Sequence, residues 1–62
     1  MKKQAICKLL NETPGAFRYI EVNAKGEPIK GDEEGALVGD LYLRKAALEG
    51  AIPDKITVFI EY

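Results

Sequence analysis

A chain of 62 residues has room for one domain, and a domain of that size buries only about 60% of the surface its unfolded form exposes. One cysteine and no histidine exclude an internal disulfide and argue against a zinc site, so good local design or self-association must supply the missing stability. Nine basic and ten acidic side chains, a net charge of −1, exclude the overall positive field of many nucleic-acid proteins but leave room for a local basic patch.

The start, Met1-Lys2-Lys3, is positive, but the apolar run behind it is broken by Lys8 and ends at Asn11-Glu12, too short for a secretory signal. No stretch approaches the roughly 20 apolar residues that span a bilayer. The expectation is a cytoplasmic protein with no membrane partner, and a lone thiol suits a reducing compartment.

Residues 3–12 read as a first strand, with Ala5, Cys7 and Leu9 on one face and Gln4, Ile6, Lys8 and Leu10 on the other. Thr13-Pro14-Gly15 is turn chemistry, proline presetting φ and glycine accepting a positive one. Residues 16–23, with Phe17, Tyr19, Ile20 and Val22, form a second strand, and the two make a hairpin. Residues 24–35 hold three glycines, Pro28 and the acidic run Asp32-Glu33-Glu34, which predicts a long, mobile acidic loop. Residues 36–44 read as a third strand, Leu37, Leu41 and Leu43 sharing a face with Gly39, which marks a bulge or a close backbone approach. Lys45-Ala46-Ala47-Leu48-Glu49 has helical composition with Gly50 as its cap, and Leu48 must pack this single turn onto the sheet. After a turn at Pro53-Asp54, residues 56–62 make the last strand, with Ile56, Val58 and Ile60 facing the core. The predicted fold is mainly β, a β-rich α+β domain over 1–62. It is a small four-stranded, largely antiparallel sheet with one short helical turn between the last two strands.

Enzyme chemistry finds little purchase. Histidine, the commonest general acid or base, is absent, and nothing beside Cys7 activates it as a nucleophile, so it reads as a small buried hydrophobe. No spacing of the glycines makes a phosphate loop, and no cofactor, metal or small-molecule ligand is implied. The strand faces carry more information. The second strand is apolar on both sides. If Ile20 and Val22 join the core, Phe17, Tyr19, Tyr42 and Phe59 all lie on one outer surface. Such a patch exceeds what a small monomer normally exposes. It is covered by the chain's own loop or helix, buried in a homodimer, or used to stack unpaired bases, with Lys8, Arg18, Arg44 and Lys45 contacting phosphates.

The stretch Gly39-Asp40-Leu41-Tyr42-Leu43-Arg44-Lys45-Ala46-Ala47-Leu48, then Pro53-Asp54-Lys55-Ile56-Thr57-Val58-Phe59-Ile60-Glu61, resembles a group of short uncharacterised bacterial β proteins. They carry a preceding hairpin similar to Glu12-Thr13-Pro14-Gly15-Ala16-Phe17-Arg18-Tyr19. That resemblance implies a coherent domain and no activity. The chain is also faintly similar to AbrB-type swapped-hairpin regulators, with Leu43-Arg44-Lys45 in place of their proline–lysine step and Pro53-Asp54 in place of their glycine–aspartate turn. This similarity implies DNA contacts at Arg44 and Lys45 alone. The expected role is a binding or assembly module with no catalytic site, a homodimer acting through a sheet face or a strand edge. Nucleic-acid binding is the alternative.

Overall fold

The computed structural model describes residues 1–29 and 35–62. Four strands, β1 (Lys2–Glu12), β2 (Ala16–Val22), β3 (Asp40–Arg44) and β4 (Lys55–Glu61), form one antiparallel sheet in the order β3-β2-β1-β4. A 3₁₀ turn, Lys45–Leu48, lies between β3 and β4. Because β3 and β4 occupy opposite edges, the chain from Lys45 to Asp54 crosses one face of the sheet and roofs the core.

The β1–β2 hairpin forms as its sequence predicts. Gly15, however, does not use left-handed freedom. The turn is closed by Thr13, whose N–H donates to the Ala16 carbonyl (2.8 Å) and whose Oγ1 accepts from the Ala16 N–H (3.1 Å). A register shift between Leu9 and Asn11 inserts Leu10 as an extra residue, so that Asn11 opposes Arg18 and Glu12 opposes Phe17.

Ala5, Cys7 and Leu9 face the core with Phe17 and Tyr19 of β2, Leu41 and Leu43 of β3, Ile56 and Val58 of β4, and Leu48 above them. The first correction concerns β2. Phe17 and Tyr19 are buried (6% and 0% exposed), and the face carrying Ile20 and Val22 is the outer one. The two rings fill more of a small core than Ile20 and Val22 would, and the roof offers the Tyr19 hydroxyl an acceptor, the Pro53 carbonyl at 2.8 Å. Val22 is buried even so, because the chain beyond it folds back to bridge at Pro28.

The third strand starts at Asp40, not at residue 36, and Leu37 is exposed. Residues 37–39 turn their amides to Glu21 instead. Gly39 takes a left-handed φ of 76°, which glycine alone adopts freely, and its carbonyl accepts from the Glu21 N–H at 2.8 Å. The helical turn is 3₁₀ and ends one residue earlier than expected, its cap being Glu49 in the left-handed region. The first part of the predicted loop is a tight return: Asn23 Oδ1 accepts from the N–H groups of Lys25 (2.9 Å) and Glu27 (3.0 Å), and Ile29 N–H donates to the Glu21 carbonyl (2.8 Å). The acidic run Asp32-Glu33-Glu34 lies outside the described residues.

Candidate functional site

Burial of Phe17 and Tyr19 removes half of the aromatic surface expected from the sequence. Tyr42 (57% exposed) and Phe59 (76%) do share the outer face, but at opposite corners. Tyr42 opposes Arg18, which opposes Asn11 on β1, whereas Phe59 opposes Gln4. They are separated by three strand spacings, about 14 Å, and by roughly 20 Å along the strands. Tyr42 and Phe59 are not one stacking platform.

The four cations expected at phosphates are likewise divided. Lys8, Arg18 and Arg44 lie on the outer face, while Lys45 belongs to the core side, where it pairs with Glu12 and sits 5.4 Å from the Phe17 ring centroid. Arg18 is paired with Asp40, its Nε donating at 3.0 Å, and its guanidinium lies 6.0 Å from the Tyr42 ring. By strand alternation the outer face carries Lys2, Lys8, Arg18, Arg44 and Lys55 against Asp40 and Glu61. That face is basic although the whole chain is not.

Residues that join the core face of β4 are only half-buried: Ile56, Val58 and Ile60 all keep solvent contact at the sheet's edge. The phase of the backbone there follows from its ends. Met1 nitrogen donates to the Tyr62 carbonyl and Tyr62 N–H returns to the Met1 carbonyl (2.9 Å), while Leu9 N–H donates to the Asp54 carbonyl (2.7 Å). Tyr62, Ile60, Val58, Ile56 and Asp54 therefore direct their backbone groups at β1. Lys55, Thr57, Phe59 and Glu61 direct theirs outward. Among the described residues β4 has β1 as its one ladder partner, and its register runs through Lys55–Glu61 without a bulge, proline or glycine. This is an open edge of the kind that accepts another strand.

At the other edge, β3 is two residues shorter than β4 and is hemmed by Gly39 and by the 3₁₀ turn. Its outward backbone groups are those of Asp40, Tyr42 and Arg44, because Glu21 N–H bonds to the Gly39 carbonyl and Lys45 N–H to the Gly15 carbonyl.

No protein-family model, curated protein or solved structure was found to match this chain.

The one buried charged side chain described is Glu21 (4% exposed), beside Cys7 on the core face. Its Oε1 accepts from three successive backbone N–H groups, Leu37 (2.9 Å), Val38 (2.8 Å) and Gly39 (3.0 Å). Burial works to raise its pKa, but the three donors together outweigh burial and hold the carboxyl below its ordinary range. The Cys7 thiol is pushed up by burial and then by the Glu21 charge, which keeps it from acting as a thiolate. A hollow of about 320 Å³ opens near Glu21, Ile29, Gly35 and Leu37, and Glu21 Oε1 at its wall is taken by the three backbone amides. Among the described residues no cluster of three or more histidine, cysteine or carboxylate side chains is placed to hold a metal. No helix is long and apolar enough to cross a membrane.

The sequence suggests a strand edge as a working surface without assigning it to β4, which it places in the core with Phe59 on the outer face. The signal for an open edge is present in the sequence: strong β formers run from Ile56 to Ile60, with no charge or proline among them. Glu21 was missed because its partners are amides 16 to 18 residues away, which leave no side-chain signature.

Proposed function

We propose that this chain is a small binding and assembly module that works by strand addition at the β4 edge and acts as a homodimer in the cytoplasm. One observation carries the reading: the outward N–H and C=O groups of Lys55, Thr57, Phe59 and Glu61 form a row unbroken by proline or a bulge. A partner strand satisfies that row and completes the burial of Ile56, Val58 and Ile60. The experiment is Thr57→Pro. Thr57 N–H points away from β1, so proline removes an edge donor and leaves the internal ladder intact. Native-like circular dichroism with loss of self-association is the expected result. A variant that folds and still self-associates as the parent does would remove the edge from the account.

A second reading, an anionic ligand such as single-stranded nucleic acid on the outer face, draws on the charge excess there. Separation of Tyr42 from Phe59 leaves it phosphate contacts at Lys8, Lys55 and Arg44 rather than a run of stacked bases.

A further inference from the structure

We infer that the occupant of the β4 edge is a second copy of β4 itself, paired antiparallel about a two-fold axis at Val58. This deepens the strand-addition reading and rests on it. The sequence of β4, Lys55-Ile56-Thr57-Val58-Phe59-Ile60-Glu61, is a chemical palindrome about its centre. Folding it onto itself sets Lys55 opposite Glu61 of the second copy, Ile56 opposite Ile60, Thr57 opposite Phe59, and Val58 opposite Val58. Each position then meets its complement: charge to opposite charge, aliphatic to aliphatic, β-branched to aromatic.

The backbone phase agrees with this register. Val58 spends its N–H and C=O on β1, so at the axis the two Val58 residues form a non-hydrogen-bonded pair, the kind in which side chains approach most closely. On either side of the axis Thr57 and Phe59, then Lys55 and Glu61, exchange both backbone bonds with their opposites, about eight bonds in all. The faces agree as well. Ile56, Val58 and Ile60 point to the core side in both copies, so two half-open cores meet as one. On the outer face, Phe59 of each copy covers Thr57 of the other.

Electrostatics select the same register. Within one chain Lys55 stands directly opposite Lys8, an unfavourable like-charge pair, and among the described residues neither Lys55 nor Glu61 is held in an ion pair. The two-fold pairing inserts Glu61 of the second copy beside Lys55, giving a row of Lys8, Lys55, the second copy's Glu61 and its Lys2. Shifting the register by one residue on one strand sends one copy's core face outward, and shifting it by two loses both charge pairs. The product is one continuous eight-stranded sheet, two sets of four, with the hemmed β3 strands at its outer edges. Isologous pairing at β4 consumes that edge and closes the assembly at two chains.

The test uses two single variants, Lys55→Glu and Glu61→Lys. Each alone places like charges opposite one another at both symmetry-related sites and dissociates several-fold more readily than the parent. Mixed in equal amounts, they restore both pairs, because a chain with acids at 55 and 61 meets a chain with lysines at both. Native mass spectrometry of the mixture is expected to show the heterodimer well above the statistical half, with the preference shrinking in high salt. A statistical mixture would overturn this register. Should Thr57→Pro dissociate the dimer while the charge mixture stays statistical, the edge stands and the Val58-centred pairing falls. If Thr57→Pro leaves the dimer intact, strand addition itself has failed. In a second check on position, Val58→Cys should cross-link two chains under mild oxidation, since Cα atoms in a non-hydrogen-bonded pair lie within disulfide reach. Cross-linking absent from a dimeric Val58→Cys protein would contradict the axis.

Discussion

Glu21 shows how one side chain can organise a segment distant in sequence. Its carboxylate takes the amides of residues 37–39, just ahead of the start of β3 at Asp40. Glu21→Gln keeps an acceptor but loses its charge, and should cost about 1.5–3 kcal/mol, the range for a hydrogen bond to a charged group. In so small a domain that is a large part of the total stability, and denaturant titration would measure it. The folded carboxyl has a lowered pKa, so its contribution is fully present above the unfolded value of about 4.3 and is lost as pH falls through the folded one. Melting curves of the parent should therefore fall off in acid, and those of Glu21→Gln should fall off less. An identical acid limb in both would show that the carboxylate does not carry this dependence. Cys7 makes the complementary prediction. Fully buried and with its thiol pushed up, it should react with a maleimide only as fast as the chain opens, and at the normal rate in denaturant.

At the scale of elements, alternation made β1 and β4 legible: Ala5, Cys7 and Leu9, and Ile56 and Val58, face the core as their spacing requires. The hairpin and the packing of Leu48 were legible for the same reason, local chemistry agreeing with the tertiary outcome. Alternation gave no answer for β2, because Phe17 and Tyr19 compete with Ile20 and Val22 on opposite faces. The decision was made by the Pro53 carbonyl, 34 residues from Tyr19, and by residues 37–39 meeting the Glu21 charge. With Tyr19 and Phe17 in the core, the expected aromatic patch could not exist. The backbone phase of β4 supports a prediction at this scale. Val58→Pro removes an N–H that serves β1 and should unfold the domain, or cost about 3 kcal/mol or more. Thr57→Pro, one residue away, should be tolerated far better. Similar losses of stability in both variants would contradict the assigned phase.

Among the described strand residues the outer face is basic, while the chain as a whole carries a net charge of −1. If that face serves a polyanion, binding to a single-stranded oligonucleotide should weaken steeply with added salt, and Lys8→Ala should reduce its slope by about one counterion. Salt-insensitive titrations would dispose of that use. The size of the domain bears on the assembly reading instead. A four-stranded sheet with an open β4 edge leaves Ile56, Val58 and Ile60 half-covered, and in the proposed dimer a second chain supplies the missing burial.

Light scattering on a sizing column, run over a range of concentrations for the parent and for Thr57→Pro, tests the central claim most directly. The parent should move from one chain to two as concentration rises, and the variant should stay at one chain with native-like circular dichroism. A parent that remains a single chain at the highest concentration, or a folded variant that dimerises equally well, would contradict the assignment of β4 as the working edge.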